Sequence, residues 1–447
     1  ILHIVQTIGE GTLDSCLALY LDMVNITTYP ADIATYTFHN GSPTQTVDTA
    51  LNAACPDWTD PLRHTAYVYV RLKYDPTKFN GMPNITTLVK GLKVYDPRSG
   101  FTSWSNNPAL VWYDLFTNSR YAFGFNSSLV EAGSIISAAN WCDDSGGGIT
   151  YRFNGGVFDQ AAALDVVTAC MLNFRAVMLY SAGAYKLKTL DIESPVMSLT
   201  EDDIIMDSFS LSVPGLPETP NRTRVKFTNS GNDYNTDDII VEDLNALTIE
   251  GYELENTIAL TGTVDWAQAQ RLAVYNLERA RLNKIYSFTC GQRALPLEAG
   301  DVVSITHSLP GWTAKQCRIV SIEVNPGGVV GLSVIEEDDA LYNDVIDIDT
   351  HTYSSTTLPS PFQAPDGATG LSFTEEEYYN KDVSYTRLKI NFTNPLSPFW
   401  DYSEVWVNVD NAGYNHYQDV SGSYTIQPAK EQVTYKIKML SVSRSGI

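Results

Sequence analysis

Basic side chains are scarce in this sequence. Lysine and arginine account for 29 of the 447 residues, against 52 aspartates and glutamates, and the formal net charge is −23. A surface with such an excess of negative charge repels phosphate, so stable binding to nucleic acid is disfavoured. An acidic wall would still suit DNA that slides past without sticking. The plainer interpretation, which composition alone favours, is that acidity keeps the protein soluble.

Cysteine and histidine are few and widely spaced. No two of the six cysteines have C-x-x-C spacing, which leaves a zinc or iron–sulfur site without support. Sparse cysteines in a long chain predict reduced thiols and assembly in a cytoplasm, although one or two disulfides remain open. The six histidines form neither an H-x-x-x-H nor an H-E-x-x-H pair, so a zinc hydrolase is unsupported.

Long apolar runs and a signal peptide are also missing, so neither a membrane span nor secretion is predicted. The first residue is isoleucine, and we expect the natural N-terminus to lie upstream. Glycosylation sequons indicate a secreted glycoprotein only if the source is eukaryotic, and chance matches are expected in a sequence rich in Asn and Thr. They occur at Asn25, Asn84, Asn126, Asn221 and Asn391.

Hydrophobic residues make up 44% of the sequence and charged residues 18%, the balance of a folded globular protein. The length predicts two to four domains. Aromatic residues reach 11%, with 26 tyrosines and 8 tryptophans. Such enrichment is typical of sheet-rich proteins and of large interfaces.

The first two hundred residues predict strands followed by helices. Residues 65–74 alternate apolar and polar, as in a half-buried strand, and YDPRSG at 95–100 predicts a turn. Three helix starts are predicted, at Asn107 before Pro108, at a Ser128–Glu131 capping box, and at Asp159. A hairpin is predicted at 177–187. The expected inner faces of the helices are Leu110, Val111 and Leu115; Ala132, Ile135, Ile136 and Ala139; and Ala163, Val167, Cys170, Met171 and Phe174.

Residues 190–260 predict irregular strand material with breaks rich in Pro and Asn. Residues 265–282 predict a helix capped by Asp265 and Gln268, with Trp266, Ala273 and Leu277 on its buried face. Strands are predicted at 285–290, 302–306, 318–324 and 329–334, with a tight turn at 297–301. This pattern predicts a small barrel or sandwich on which the helix packs.

The last part of the chain changes character. Residues 338–366 are acidic and then rich in Ser, Thr and Pro, as in a linker. Alternating apolar residues beyond it predict an antiparallel sandwich of immunoglobulin-like size. The predicted organisation is a β-rich hub or insertion domain at 1–98, an α+β hub domain at 99–190, a hub β-barrel domain with one flanking helix at 191–345, a linker at 346–364, and a sandwich at 365–447.

Few residues suggest chemistry. Asp143-Asp144 is adjacent to a glycine-rich stretch, so a solvated turn is favoured over an acid/base pair. Two Asp/Asn-rich stretches, 229–238 and 336–349, lack the calcium-loop pattern and fit surface loops or linkers better. A G-x-S-x-G elbow and a P-loop are absent from the sequence. We therefore predict no catalytic, cofactor-binding or metal-binding residues, no cofactor and no enzymatic activity.

One ordered series of motifs is specific. YDPRSG at 95–100 is followed by WSNNPAL at 104–110, Asp114-Leu115, and RYAFG at 120–124. The series closely resembles the "YDPRTG…W/YSDNPAL…DYL…RYGFG" run of the tip attachment protein J family of lambda-like siphophages. Ala122 departs from it, since glycine is usual there, and Ser15 departs from a related motif nearer the start. These departures affect backbone detail and not the assignment.

Further stretches resemble the same family, and together they cover most of residues 1–345 in order. They are GEG at 9–11 with Asp14, Gly41 with Thr44-Gln45, HTAY at 64–67, Trp141-Cys142, the helix at 269–281, DVV at 301–303, and His307-Ser308. The last segment resembles a fibronectin type III module, with YKIKMLSVSRSG at 435–446 as its sixth strand and Phe392 in place of the usual core tryptophan. We expect the chain to continue beyond Ile447, where the family has its receptor-binding region.

The resemblance implies a multidomain α+β protein, mostly β. It would have phage baseplate-hub-like β-barrel domains with a helical insertion, followed by a fibronectin type III β-sandwich. Three copies would form a ring that continues or closes the tail tube and opens for DNA ejection. Expected partners are the distal tail protein and other tail-tip proteins, the tape measure protein, the tail tube, and phage DNA in transit without stable binding. A host receptor would bind through regions outside this sequence.

The implied location is the tail tip of the virion, assembled in the bacterial host cytoplasm. Two alternatives stay open. One is a secreted or surface adhesion protein with a fibronectin module, which glycans on the sequons would favour. The other is a tail-associated polysaccharide-degrading enzyme, which a cleft with two convergent carboxylates would favour.

Overall fold

The chain forms two compact units, Ile1–His351 and Thr352–Ile447. The computed structural model describes every residue except 76, 77, 80, 159, 160, 214, 216–218, 347, 349–364, 398 and 445–447. The described residues are mostly β-structure. Among them, no helix combines the length and the apolar character that a membrane crossing requires. The predicted linker falls almost wholly outside the described residues, and the predicted domain boundaries remain predictions.

Residues 1–104 fold into two sheets. Their elements are β1 (Leu2–Glu10), β2 (Leu13–Leu21), β3 (Val24–Asn25), β4 (Ala34–Asn40), α1 (Thr49–Ala54), β5 (Thr65–Leu72), β6 (Ile85–Asp96) and β7 (Phe101–Trp104), in the sheet orders β1-β5-β4 and β3-β2-β6-β7. The central strand β5 is buried on both faces, so the predicted strand is confirmed but its half-burial is wrong. Val68 and Val70 pack into one core cluster, whereas Tyr67 and Tyr69 pack with Leu51 of α1 in another.

Three helices and a hairpin follow: α2 (Pro108–Thr117), α3 (Ala132–Asp143), α4 (Ala163–Met171), β8 (Ala176–Ser181) and β9 (Ala184–Thr189). Asn107 caps α2 as predicted, because its side chain accepts a backbone N–H of the first turn. The predicted Ser128–Glu131 capping box is wrong. Glu131 precedes α3 without a side-chain bond to it, and Ser128 lies in a separate 3-10 turn. Asp159 lies outside the described residues.

The buried faces of these helices differ in part from the predicted ones. In α2, Trp112 and Phe116 are buried, whereas Val111 and Leu115 are only partly buried. Aromatic rings remove more apolar surface from water than valine or leucine does, so they take the inner positions. The first alanine of the predicted face is exposed in both α3 and α4. The hairpin predicted at 177–187 is confirmed as β8 and β9.

The segment predicted as irregular contains a regular three-stranded sheet. The elements of the whole segment are β10 (Met197–Leu199), β11 (Ser210–Ser212), β12 (Arg222–Asn229), β13 (Asn235–Glu242), α5 (Leu244–Glu250) and β14 (Glu255–Leu260). The three-stranded sheet is formed by β12, β13 and β14. The order is β13-β12-β14, and β14 runs parallel to β12. The inner face of β12 carries Val225 and Phe227, which are buried, while Arg222, Arg224 and Lys226 alternate with them.

Helix α6 (Trp266–Arg281) confirms the prediction in extent, and Asp265 caps it by accepting the Gln268 N–H at 2.8 Å. The predicted packing on the strands at 285–335 is wrong. Ala269 and Leu272 belong to the core cluster that contains Phe227, and the helix packs on β12 and β13. The apolar face of the helix could pack either on the sheet of β12 and β13 or on the strands at 285–335. Sequence periodicity shows that such a face exists but not which sheet it meets.

A six-stranded sheet follows, formed by β15 (Ile285–Cys290), β16 (Val302–His307), β17 (Trp312–Asn325) and β18 (Val329–Glu336) together with β10 and β11. The four strands confirm the predicted ones. The strand order is β10-β16-β17-β18-β15-β11. One apolar core cluster contains buried residues from β10, β15, β16, β17 and β18. Residues 338–344 have the acidic composition of a linker, but they lie within the predicted domain at 191–345 and within the first compact unit, where Leu341 and Tyr342 are buried.

The C-terminal unit contains two antiparallel sheets. Its strands are β19 (Thr369–Asn380), β20 (Val383–Thr393), β21 (Trp400–Val409), β22 (Tyr414–Val420), β23 (Ser423–Ile426) and β24 (Tyr435–Ser443), in the orders β19-β20-β23 and β22-β21-β24. Ile390 from one sheet and Val405 and Val407 from the other share one core. The predicted sandwich is therefore confirmed. Phe392 lies in β20 and is 8% exposed.

Candidate functional site: fastening contacts and exposed surfaces

The motifs from the first seventy residues meet at one point. The Gly41 N–H donates to Gln45 Oε1 at 2.8 Å, and Gln45 Nε2 donates to the carbonyl oxygen of Thr65 at 3.3 Å. Gly41 has a φ of +79°, and a Cβ there would collide with the Gly11 carbonyl oxygen and lie 2.9 Å from the Ala66 nitrogen. The glycines and the glutamine therefore close a tight backbone crossing, which is a structural role.

A second contact joins this crossing to the helical layer. Arg120 pairs with Glu10, and Tyr121 donates its hydroxyl to Asp114 in α2 at 2.7 Å. Burial raises the pKa of Tyr121, and the bond to Asp114 raises it further. A Cβ on Gly11 would lie 3.0 Å from the Tyr121 ring. The RYAFG motif thus packs against the GEG motif.

The candidate carboxylate Asp143 lies at the end of α3 between two arginines. Arg98 Nη1 is 2.7 Å from one of its oxygens, and Arg152 Nη1 is 2.8 Å from the other. Arg98 also binds Asp96 with two nitrogens, at 2.9 Å and 3.0 Å. The DPRSG turn is thereby fixed to the end of α3, and both oxygens of the Asp143 carboxylate form ion pairs.

Neighbouring arginines and hydrogen bonds keep the Asp96 and Asp143 carboxylates ionised. Burial raises the pKa of Asp143, but hydrogen bonds from Arg98 and Asn107 and the charge of Arg152 outweigh it and hold that pKa below its usual range. The hydrogen bond from Arg98 also lowers the pKa of Asp96. Carboxylates with lowered pKa values stay ionised at neutral pH and are poor general acids.

Asp144 has a separate, local role. Its side chain accepts the backbone N–H groups of Gly146 at 2.9 Å and Gly148 at 3.1 Å. Asp144 therefore holds the glycine-rich turn, as the solvated-turn interpretation predicts. The two adjacent carboxylates face different partners and do not form an acid/base pair.

The His307-Ser308 motif closes the connection between β16 and β17. Glu201 accepts both the backbone N–H and the hydroxyl of Ser308, and His307 Nδ1 accepts the Leu309 N–H at 3.1 Å. The hydrogen bonds from Ser308 lower the pKa of Glu201. The motif ties this turn to the segment that follows β10, so its role in the described structure is again fastening.

The two acidic stretches considered for calcium hold other partners. Asn229 binds Asp237 at 3.1 Å, and Asp238 pairs with Arg224. Glu337 is paired with Arg318 at 2.8 Å. In the part of the chain that the structure describes, no group of three or more His, Cys, Asp or Glu could hold a metal ion.

An open cleft of about 770 Å³ lies between β2 and β4 and contains Cys16 and Tyr36. Burial raises the pKa of the Cys16 thiol above its ordinary value. His39, on the same cleft, binds Asp48 at 2.7 Å. Burial therefore disfavours the thiolate, which is the nucleophilic form of cysteine. All six cysteines are unpaired.

Several large apolar side chains are exposed and available to partners. Phe158 is 93% exposed, Met206 87% and Ile249 85%. Ile249 lies in α5, where Leu244 is also exposed. Single exposed apolar residues are ordinary, but groups of them mark interaction surfaces. The strands β1, β4, β13 and β14 are sheet edges among the described residues, and edges can pair with another chain.

Sequence reasoning missed one buried group. Arg175 is 4% exposed and binds Asp344 through two parallel hydrogen bonds, at 3.0 Å and 2.9 Å. Arg175 belongs to no motif, Asp344 lies in the acidic stretch 336–349 that fits a loop or linker, and the two residues are 169 positions apart. A local signal for this pair does not exist, because a buried arginine and a surface arginine look alike in a single sequence.

Residues 162–322 match the model of a family described as "Putative phage tail protein". The Tip attachment protein J of Escherichia phage SECphi27 is 25% identical over 214 residues, which cover 46% of this chain and 18% of that protein. The Tip attachment protein J of Escherichia phage SECphi4 is 24% identical over 290 residues, which cover 58% of this chain and 25% of that protein. The chain therefore spans a quarter or less of the length of these relatives.

Solved structures include similar folds. A chain from the virion of a native gene transfer agent particle has a TM-score of 0.59 at 15% identity, with 78% of this chain and 81% of that chain covered. At that identity the likeness shows the fold alone. The 43 kDa tail protein of prophage MuSo2 from Shewanella oneidensis covers 76% of this chain and 89% of its own length, at 10% identity and a TM-score of 0.34.

Proposed function

We propose that the chain is a structural hub protein at the tip of a long bacteriophage tail. The observation that carries the proposal is that motifs resembling those of tip attachment proteins form structural contacts here, through Gly41, Arg98 and Ser308. The match of residues 162–322 to a phage tail family supports the same assignment.

The finer role is a ring of three copies that continues or closes the tail tube and opens for DNA ejection. The six-stranded sheet around one apolar cluster supports a barrel-like hub domain. Free sheet edges and exposed apolar residues supply surfaces that such a ring would bury. The partners would be the distal tail protein, the tape measure protein and the tail tube, with a host receptor bound by regions outside this sequence.

The C-terminal unit would be a fibronectin type III module. Two sheets in the orders β19-β20-β23 and β22-β21-β24 support this, with the six strands serving as the first six of such a module. In the virion, a module of this kind would connect the hub to the receptor-binding region.

Native mass spectrometry of the full-length protein tests the ring. We expect three copies per complex, and imaging of the virion should place them at the tail tip. A full-length protein that stays monomeric within the mature particle would contradict the proposal.

The enzymatic alternative rests on the pair Asp143-Asp144. Asp143 is paired with two arginines and Asp144 accepts two backbone N–H groups, which argues against it. Incubation with host peptidoglycan and capsule should release no sugar. Release that disappears in Asp143→Asn or Asp144→Asn, with folding unchanged, would favour the polysaccharide-degrading enzyme. Glycans found on the sequons would favour the adhesion protein.

A further inference from the structure

Residues 337–344, named the strap, connect the end of β18 to the point where the chain leaves the core of the first unit. The strap begins at Glu337, whose side chain is 2% exposed. Arg279 Nη1 lies 3.0 Å from this carboxylate and Arg318 Nη2 lies 2.8 Å from it. The Glu337 N–H also donates to the Gln316 carbonyl at 3.1 Å. The first residue of the strap is therefore fixed by two cations.

The middle of the strap is fixed by apolar contact. Leu341 is 4% exposed and Tyr342 is 6% exposed, and both pack with Tyr275 of α6. Two backbone hydrogen bonds shape this part into a 3-10 turn, from Leu341 to Asp338 at 3.1 Å and from Asn343 to Ala340 at 3.2 Å. The turn gives the strap its own protected amides.

The last residue of the strap is Asp344. Its two oxygens accept from Arg175 Nη1 at 3.0 Å and Nη2 at 2.9 Å, and the Tyr151 hydroxyl donates to it at 2.9 Å. A bidentate arginine–carboxylate pair of this kind is strong and directional. The next residue, Val345, is 82% exposed. The ion pair thus fixes the end of the strap to the core of the first unit.

Arg175 is firmly built into the core. Its guanidinium carbon lies between 5.2 and 5.6 Å from the ring centres of four aromatic side chains, which restrict it on several sides. These are Trp141, Tyr151, Tyr275 and Tyr342. Trp141 lies in α3, beside the Asp143 cluster. Asp344 is therefore connected through one arginine to the end of α3.

We propose that the strap is an anchor. It fixes the chain to the core of the first unit before the segment that leads to the C-terminal unit. It also transmits a displacement of that segment through Asp344 and Arg175 to the end of α3. The anchor goes beyond the hub assignment and does not depend on it, because it rests on contacts within the chain. In a tail protein it would couple events in distal regions to the scaffold motifs.

Hydrogen exchange of the full chain, followed by mass spectrometry, tests the anchor. In Asp344→Asn the side chain keeps its shape but loses its charge, so Arg175 is left buried without a counter-ion. Exchange in peptides spanning 337–346 and 141–152 should then rise at least about tenfold, while peptides from β12 and β13 change less than about twofold, because opening is local. Asp339→Asn is the matched control, since Asp339 is exposed in the same segment.

Each other outcome overturns the proposal in a defined way. Equal exchange in Asp344→Asn and Asp339→Asn would show that the ion pair does not hold the strap. Faster exchange throughout the first unit would make Asp344 an ordinary core residue. Faster exchange in the strap without a change at 141–152 would remove the coupling to α3. Tyr151→Phe, which deletes one hydrogen bond, should give a smaller change confined to the same two segments.

Discussion

Arg98 is the residue that gives the DPRSG motif its function in the structure. One guanidinium binds Asp96 in its own turn and Asp143 at the end of α3. The planar fork of arginine can meet two carboxylates at once, which a lysine cannot do in the same geometry. A motif read in sequence as a turn is therefore also a tie between distant segments.

The Arg98 cluster makes stability depend on pH. The folded-state pKa values of Asp96 and Asp143 are lowered, so their stabilising effect is present above the unfolded pKa and is lost as pH falls through the folded values. We expect Arg98→Met to lower the free energy of unfolding at pH 7. The difference from the native sequence should shrink as the pH falls below about 4, the ordinary Asp pKa, and on through the lowered folded-state values. Urea unfolding at several pH values measures this, and a difference that does not change with pH would contradict it.

Gly41 is the residue whose backbone leaves no room for a side chain. Gly41→Ala would place a methyl group against the Gly11 carbonyl at a positive φ, and should destabilise the protein by more than about 1 kcal/mol. Gly9→Ala is the matched control, because nothing lies within 4 Å of a Cβ there. Thermal unfolding of both variants tests this; equal melting temperatures would show that the crossing can relax.

At the scale of elements, helix α6 has a defined buried face. Leu277 is 3% exposed, so Leu277→Ala should lower the free energy of unfolding by about 2–5 kcal/mol, as for a core leucine. Glu278→Ala, at the next and exposed position, should change it by less than about 0.5 kcal/mol. Melting curves that do not separate the two variants would contradict the packing described here.

The strand β12 shows how an element can carry basic residues without forming a basic patch. Arg222 pairs with Glu242 at 3.3 Å and with Glu255 at 2.9 Å, and Arg224 pairs with Glu255 at 2.8 Å. Lys226 is the third basic residue on this face. The neighbouring strands β13 and β14 thus place carboxylates beside the arginines of β12, so the positive and negative charges on this face are close to balance.

At the scale of the molecule, the chain carries 52 acidic and 29 basic residues. We expect no DNA binding tighter than about 10 μM at physiological salt, because phosphate contacts by Lys and Arg supply most of that affinity. Fluorescence anisotropy with duplex DNA at several salt concentrations measures it. Tight binding that weakens steeply with salt would rule out passive passage of DNA. If the proposed ring forms, a charge map of it would separate an acidic channel from acidity confined to the outer surface.

Local patterns in the sequence determined the elements whose cause lies within a few residues. The Asn107 cap, the Asp265 cap and the strands at 285–290 and 329–334 follow from neighbouring residues. The ordered motifs also indicated the phage tail resemblance. Alternation located β5 but did not show that the strand is buried on both faces. In β12 the buried Val225 and Phe227 alternate with Arg224 and Lys226, and this period of two was not recognised as a strand.

Only the tertiary structure decided which distant groups meet. The packing of α6 on β12 and β13, the parallel pairing of β14 with β12, and the Arg175–Asp344 pair all join segments separated by loops. Closing a loop costs conformational entropy that depends on the length of the loop and hardly on its residues. The sequence therefore gives little sign of which distant segments gain enough free energy from their contact to offset that cost. What compensates each one is burial of apolar surface and pairing of charge, and these exist only once both partners are in place.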